Sequence, residues 1–234
     1  MSQHKPEGER LSSYLLDTTL ALAFVPKMEW AEKTTDTYKV IYTLSYERPR
    51  WAVQLCKLAQ QAALRRNRKL ITKESIDEVW GEYGQKRISD LVAEHKHQCP
   101  QVEELLNGFR GSARLLTRDE LFRWINNRVS NHLDVRIEGE MVRSPREIAR
   151  FLYRLGFILA RSESVAGAYE HYRFDQMPDF LSARTDEDFS VKWEIHPCYR
   201  EALDIKKLDR SHRERFGLLR SRRGEPPEEF DPRF

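Results

Sequence analysis

Residues 45–56 have the sequence SYERPRWAVQLC, in which a proline between two arginines opens an apolar run. Proline at the first position of a helix sacrifices no hydrogen bond, because the N–H groups of the first turn have no intrahelical acceptor. The stretch therefore predicts a helix from Pro49 to about Arg66. Its predicted core stripe is Val53, Cys56, Ala59 and Ala63, flanked by Leu55, Leu58 and Ala62.

The residues on both sides of this helix also have helical periodicity. Apolar positions at helical spacing predict upstream helices over residues 11–24 and 36–44. Downstream, Thr72 is a suitable N-cap for the next helix. We therefore expect residues 1–110 to form a bundle of helices. The predicted buried face of the helix after Thr72 is Ile76, Val79, Trp80 and Tyr83.

The pattern changes after Gly111, where small residues indicate a boundary. Thr117, followed three positions later by Glu120, has the spacing of a capping box and predicts a helix start. Ser144 precedes a proline and predicts the start of another helix, which Gly156 ends as a C-cap. The second half of the chain therefore begins with two short, well-delimited helices.

Three stretches in the second half have the composition of strands. They are residues 157–161, 169–174 and 191–195. Two helices followed by strands and a turn are the order of a winged helix-turn-helix. The sequence therefore predicts a mainly α fold with a small β-wing. The predicted domains are a helical lid-like bundle (1–110), a winged helix-turn-helix-like domain (111–205) and a charged, partly flexible tail (206–234).

Composition indicates where in the cell the protein works but says little about its function. Charged residues make up 33% of the 234 positions, but the formal net charge is only +3, so bulk charge identifies no partner. The three cysteines, Cys56, Cys99 and Cys198, are far apart and form no CxxC pair. This usage is typical of a reducing cytoplasm. The apolar segment 15–25 is too short to span a membrane, so we expect a cytoplasmic protein without a membrane partner.

The chain contains no complete catalytic motif. It has no Walker A loop, no GxGxxG, no HExxH and no GxSxG. A nuclease motif beginning at Pro178-Asp179 and ending at Lys192 would need an acid where Ser190 stands. His95, His97 and Cys99 alternate as zinc ligands do on a strand, but here they end a helix. We therefore predict no catalytic residue, no metal site and no enzyme activity of its own.

Arginine recurs every four residues along the helix that begins after Ser144. Guanidinium groups on a recognition helix can contact phosphates and guanine edges. The alternative is a solvated or protein-facing surface, since an exposed helix needs polar residues. The predicted nucleic-acid-binding residues are Arg146, Arg150 and Arg154, extended by Arg143 and Arg161.

The stretch 45–56, followed by LITKESI at residues 70–76, resembles the lid of AAA+ and related STAND-like P-loop ATPases. The similarity is closest to ATPases of bacterial defence systems, which often end in a winged helix. The resemblance implies that Arg50, with Arg48 as the second candidate, senses nucleotide phosphates. Since the Walker A core is not in this chain, ATP is implied only where a partner chain supplies the phosphate loop, and no other cofactor is implied.

Together these observations predict a non-enzymatic regulatory or adaptor module of a P-loop ATPase system. It would bind DNA, RNA or a protein partner, an ATPase or effector subunit, through its winged helix in bacterial antiviral defence. One alternative is a free-standing winged-helix DNA-binding regulator. The other is a metal-dependent nuclease whose unrecognised carboxylates lie between Asp175 and Asp188.

Overall fold

The computed structural model describes residues 20–30, 33–163, 169–182 and 190–206. Most of the helix predicted at residues 11–24 lies outside these ranges. So do the charged tail from residue 207 onward and residues 183–189, which include part of the acidic stretch that ends at Asp188. The fold is mixed, with helices in both halves and small antiparallel sheets.

The described chain opens with an antiparallel hairpin that the sequence did not predict. Strand β1 (Lys27–Trp30) pairs with β2 (Lys33–Asp36), and Lys27 lies opposite Asp36. Met28 is the buried residue of this hairpin. With a single buried apolar position, the hairpin has no period-two pattern to distinguish it from a loop.

Four helices follow, and the starts of the first three agree with the predictions to within one residue. Helix α2 begins at Pro49, and the next helix begins after Thr72, whose side chain forms a capping box with Ser75. The described bounds are α1 (Thr37–Leu44), α2 (Pro49–Arg65), α3 (Lys73–His95) and α4 (Val102–Asn107).

The buried face of α2 is rotated from the predicted stripe. Val53 is 53% exposed, whereas Leu55 and Leu58 are buried where α2 packs on α3. Both faces of α2 are apolar, so spacing alone could not show which of them α3 covers. The prediction that Val53 belongs to the core is wrong. The buried residues of α2 are Trp51, Leu55, Leu58, Ala59, Ala62 and Ala63.

The second half consists of helices that pack on a four-stranded sheet. Thr117 caps α5 through the backbone N–H of Glu120, and Ser144 caps α6 in the same way, as predicted. Gly156 has φ +73° after α6. The elements are β3 (Leu115–Leu116), α5 (Arg118–Ile125) with a π-helical turn (Asn126–Ser130), β4 (Arg136–Ile137), β5 (Glu140–Met141), α6 (Pro145–Arg154), β6 (Ile158–Glu163), β7 (Tyr169–Tyr172), β8 (Lys192–Ile195) and a 3₁₀ turn (Pro197–Tyr199).

The strand order in the larger sheet is β3-β8-β6-β7, with every neighbouring pair antiparallel. Ile158 lies opposite Ile195, and Ala160 lies between Trp193 and Tyr172. The three strand predictions are confirmed to within a few residues at their ends. Strands β3, β4 and β5 are two residues long, too short for a sequence pattern to predict.

One continuous core joins the two halves. The indole N–H of Trp80 donates to the carbonyl of Pro197 at 3.0 Å. Gly84 lies against Cys198, so closely that a Cβ at residue 84 would be 2.6 Å from the Cys198 carbonyl oxygen. The predicted boundary near residue 110 therefore marks a change of secondary structure without a gap in the packing.

Among the described helices, none combines the length and the apolar character that a membrane crossing requires.

Candidate anion-binding site

Arg48 and Arg50, the predicted phosphate sensors, lie at the start of α2 and face acids of α3. Arg48 Nη1 donates to both carboxylate oxygens of Glu94, at 2.7 and 3.0 Å. Its guanidinium also stacks on the ring of Trp51, 4.6 Å from the centroid. Arg50 Nη2 donates to Asp90 at 3.2 Å. Both arginines are therefore paired across the helix pair, and neither of these pairs involves the neighbouring Glu47.

The middle of the predicted arginine stripe is covered by a crossing segment, residues 177–182. Arg146 Nη1 donates to the carbonyl of Ser182 at 2.8 Å, and Tyr153 Oη donates to that of Met177 at 3.2 Å. Between them, Arg150 makes a longer contact of 3.5 Å with the carbonyl of Phe180. Two of the three stripe arginines therefore fasten this segment to α6 and are half-buried beneath it.

The ends of α6 are more open than its middle. Arg143, just before the helix, is exposed. Arg154, in its last turn, is exposed and donates to Glu138 at 2.8 Å. Arg143 and Arg154 therefore present guanidinium groups to solvent at opposite ends of the helix.

Arg161 does not extend the stripe, which corrects the prediction for this residue. Strand β6 places it inside the structure, where its side chain is 3% exposed. It contacts Glu194 at 3.2 Å and Glu163 at 3.0 Å. The alternation of a strand turned this residue inward, so its charge serves a buried ion network.

Glu194 is the centre of that network. Its carboxylate contacts Arg161, Arg114 at 3.2 Å, Arg200 at 2.7 Å and His171 at 2.8 Å. Burial by itself would raise the pKa of Glu194, but Arg200 and the other cations outweigh burial and hold the pKa well below its usual range. The cluster is therefore a group of paired charges on one face of the sheet, to which β6, β7 and β8 each contribute a residue.

Arg48 and Arg154 both line a polar cleft of about 240 Å³ between the start of α2 and the end of α6. We call it the arginine cleft. Arg173, which follows β7, supplies a third guanidinium. The structure thus joins one residue from each of the two sequence predictions with a residue that neither contained. The lining residues are Tyr46, Arg48, Arg154, Leu155, Arg173, Phe174 and Asp175.

An unusual backbone turn shapes one wall of the arginine cleft. Tyr46 and Glu47 have φ values of 51° and 59°, in the left-handed region that side chains rarely adopt. The turn brings the phenol of Tyr46 against Gly156, where a Cβ would lie 2.3 Å from its oxygen. The glycine at residue 156 therefore allows the turn and the end of α6 to approach. Such strain is concentrated at functional sites in proteins generally.

The three guanidinium groups of the arginine cleft retain donors for a further anion. Arg173 contacts Glu47 at 2.8 Å and Asp175 at 3.4 Å, and lies over the ring of Tyr46. Arg48 and Arg154 each contact one glutamate. A guanidinium has more N–H donors than one carboxylate can accept. Exposed ion pairs are also weak, so a bound oxyanion can share or replace these partners.

Tyr46 supplies a neutral donor beside these charges. Burial is the main cause that raises its pKa to about 12, so the phenol keeps its proton at neutral pH. The ring of His196 packs edge-on against it at 4.7 Å between centroids. A phenol O–H and three guanidinium groups are donors suited to an oxyanion. The described residues of the lining include no cysteine, serine or histidine, and their one carboxylate, Asp175, contacts Arg173 at 3.4 Å.

A cysteine–histidine pair lies behind the cleft but is not activated. The Nδ1 atom of His196 is 3.0 Å from the sulfur of Cys198. Burial raises the pKa of the Cys198 thiol and lowers that of His196 well below its usual value. Both groups are therefore neutral, whereas an attacking cysteine must be a thiolate.

The possible metal ligands do not converge in the described ranges. These contain no group of three or more histidine, cysteine or acidic side chains placed to hold a metal ion. Cys99 is buried, and the Nδ1 atom of His95 lies 2.9 Å from the amide oxygen of Gln98. The acidic stretch weighed for a nuclease falls partly at residues 183–189, outside the described residues.

Sequence reasoning identified Arg48 and Arg154 but missed their proximity. It also missed Tyr46 and Arg173 as site residues. No short motif contains them, because the arginine cleft joins residues 46–48 to residues that lie more than a hundred positions later in the sequence. The proline after Arg48 and the glycine after α6 predicted a helix start and a helix end, and neither indicated that the two ends lie close together.

Comparisons with known proteins give one match. Residues 9–92 match the model of a family described as the FunZ-associated C-terminal helical domain. The description fits a C-terminal domain of a larger system. No curated protein and no solved structure matched the chain. The matched range includes Tyr46 and Arg48, whereas Arg154 and Arg173 lie beyond it, so the arginine cleft joins the family-like helical region to the rest of the chain.

Proposed function

We propose that this chain is a non-enzymatic regulatory or adaptor module that binds nucleic acid by its backbone phosphates in the arginine cleft. The observation that carries the proposal is the convergence of three guanidinium groups from three separate elements. Arg48 comes from the start of α2, Arg154 from the end of α6, and Arg173 from the segment after β7. A neutral phenol from Tyr46 completes the set of donors.

The chemistry of the donors favours a phosphate diester. Arginine forks match phosphate oxygens in a planar, bidentate geometry, and most protein contacts to nucleic acid are made to the backbone. A cleft of about 240 Å³ suits one or two phosphate groups better than a whole base and sugar. Arg154 is exposed at its rim, so a strand can enter from solvent.

The sheet and helices support a winged-helix arrangement for this half of the chain. Helices α5 and α6 pack on each other and precede the strands β6 and β7. In this arrangement α6 would be the recognition helix, but residues 177–182 cover its middle. We therefore assign phosphate contact to its exposed ends, Arg154 in the cleft and Arg143 before the first turn.

We place the module in a P-loop ATPase system of bacterial antiviral defence. Two observations support this setting, the resemblance of residues 45–56 and 70–76 to an ATPase lid and the match to a helical domain associated with FunZ. A partner chain would supply the phosphate loop and ATP. Arg50, beside the cleft at the start of α2, would be free to contact that nucleotide if its pair with Asp90 opened. A cytoplasmic location belongs to the same proposal.

The test is a binding titration with fluorescently labelled single-stranded and double-stranded DNA and RNA. We expect the double variant Arg154→Ala with Arg173→Ala to lose at least tenfold in affinity for the ligand that the wild type binds. The matched control is Arg123→Ala, which removes an exposed arginine of α5 that does not line the arginine cleft. Equal affinity in all three proteins, or no binding by the wild type, would reject the proposal.

The setting is tested separately by co-purification. An ATPase subunit with a Walker A loop should be recovered with the tagged chain when both are expressed together. A free-standing DNA-binding regulator would bind DNA without such a subunit. A metal-dependent nuclease would instead cleave the labelled DNA when Mg²⁺ or Mn²⁺ is added, which our proposal does not predict.

A further inference from the structure

Asp175 is the one carboxylate among the described residues that line the arginine cleft. The other acids that pair with the arginines of the cleft, Glu47, Glu94 and Glu138, do not line it. A carboxylate beside a bound phosphate repels it, so the charge of Asp175 opposes the attraction of the three guanidinium groups. A phosphate site that contains such a charge gains from it only if the ligand also brings a hydrogen-bond donor.

Holding Arg173 in place does not account for Asp175. Arg173 Nη1 is 2.8 Å from Glu47, whereas its Nε atom is 3.4 Å from Asp175, the longer of the two contacts. The side chain of Asp175 is 68% exposed, and exposed ion pairs contribute little to stability. A carboxylate also has acceptor sites for several donors. Asp175 can therefore accept a hydrogen bond from a ligand while it remains beside Arg173.

The charge of Asp175 also acts on the interior of the cleft. Burial raises the pKa of Tyr46 most, Arg173 lowers it, and Asp175 raises it further. Asp175 therefore lies near both a guanidinium and the phenol that we assign to phosphate binding. A ligand group that meets Asp175 must be next to the bound phosphate.

Within a nucleic-acid strand, the ribose 2′-hydroxyl is the backbone group that donates a hydrogen bond, whereas phosphate and ring oxygens only accept. It is attached to the carbon next to the one that carries the 3′ phosphate ester, so it lies beside a phosphate that Arg173 holds. The same hydroxyl is what allows proteins to distinguish RNA from DNA. We infer that Asp175 accepts a hydrogen bond from a ribose 2′-hydroxyl and makes the arginine cleft selective for RNA over DNA.

This inference rests on the proposed function, because it places a backbone phosphate in the arginine cleft. Asp175 then has effects of opposite sign on the two nucleic acids. RNA gains a hydrogen bond to a charged acceptor, whereas DNA has no 2′ donor and meets only the negative charge. Removal of the carboxylate should therefore weaken the binding of RNA and leave that of DNA unchanged or stronger.

The test is a titration with fluorescently labelled single strands of one sequence in three forms, which are RNA, DNA and 2′-fluoro RNA. The 2′-fluoro form keeps an RNA-like sugar conformation but has no donor at the 2′ position. Because hydrogen bonds to charged groups are stronger than neutral ones, we expect the wild type to bind RNA about tenfold more tightly than either of the other two.

Asp175→Ala should remove the difference among the three ligands, and Asp175→Asn, which keeps an acceptor without the charge, should retain part of it. The matched control is Asp119→Ala. Asp119 is 66% exposed and contacts Arg118 at 3.0 Å, but it does not line the arginine cleft. This control should preserve the preference for RNA.

Equal affinity of the wild type for RNA and DNA, or a preference that persists in Asp175→Ala, would overturn the inference. Equal losses of RNA and DNA affinity in Asp175→Ala would also overturn it and would make Asp175 a support for Arg173. So would equal binding of RNA and 2′-fluoro RNA by the wild type, since sugar conformation would then explain the preference.

In each of these cases the proposed function stands if Arg154→Ala with Arg173→Ala still weakens binding. A wild type that binds none of the three ligands would reject the proposed function and this inference together.

Discussion

At the scale of single residues, Gly156 shows how a backbone position and a side-chain contact combine. Its φ of +73° already favours glycine, and its missing Cβ leaves room for the phenol of Tyr46. Gly111 has the same φ, but open space surrounds the position that its Cβ would take. Substituting each glycine in turn therefore distinguishes the free-energy cost of a positive φ from that of a steric clash with Tyr46.

We predict that Gly156→Ala destabilises the fold more than Gly111→Ala does. Both variants bear the cost of a positive φ, about 1 kcal/mol. Only Gly156→Ala must also displace Tyr46, which should add roughly 1 to 3 kcal/mol. Urea unfolding measures the difference, and equal losses in the two variants would show that the contact with Tyr46 is loose.

The buried carboxylate of Glu194 leads to a prediction about pH. The folded protein holds the pKa of Glu194 low, so the unfolded chain binds this proton first as the pH falls. The stability that the group contributes is present above about pH 4 to 5 and is lost as the pH decreases below that range.

Glu194→Gln should therefore be destabilising at neutral pH, by roughly 3 to 5 kcal/mol, because Arg161 and Arg200 lose their buried counter-charge. The gap between the wild type and the variant should narrow as the pH falls from 6 towards 3. Urea unfolding at several pH values measures it. A gap that is constant with pH would mean that protonation of Glu194 is not coupled to unfolding in this range.

At the scale of elements, helix starts were the most predictable features. The side chains of Thr117 and Ser144 accept hydrogen bonds from N–H groups of the first turn, and Pro49 has no N–H to leave unpaired. These signals lie within a few residues of the helix start and can be read from the sequence. The hairpin β1–β2 lacked that kind of signal. The crossing of α6 by residues 177–182 also could not be predicted, because its hydrogen bonds join segments far apart in sequence.

This crossing gives a prediction that separates structure from binding. Arg146→Ala combined with Arg150→Ala removes two contacts to backbone carbonyls and should cost about 1 to 3 kcal/mol in the free energy of unfolding. Hydrogen exchange should increase at residues 177–182. Affinity for nucleic acid should change less than twofold, since neither arginine lines the arginine cleft. A large loss of affinity would show that nucleic acid contacts Arg146 and Arg150 in the middle of α6, contrary to our assignment.

At the scale of the whole molecule, the two halves are joined by one core, and the arginine cleft lies where they meet. The sequence allowed Arg48 and Arg154 to be selected separately, as a phosphate sensor and as a phosphate-binding stripe. It could not show that they share a site, because that depends on the left-handed turn at Tyr46 and on the packing of α6 beside it. Arg173 was missed since it lies in a loop without a motif.

The most direct test of phosphate binding in the arginine cleft is the salt dependence of nucleic-acid affinity. Each neutralised phosphate contributes roughly 0.9 to the slope of log K against log salt for double-stranded DNA, through release of counterions. Arg154→Ala with Arg173→Ala should reduce the magnitude of that slope by about 1 to 2, for the one or two phosphates that the cleft holds, while Arg123→Ala should leave it unchanged. An identical slope in the wild type and the double variant would contradict the assignment of phosphate binding to this cleft.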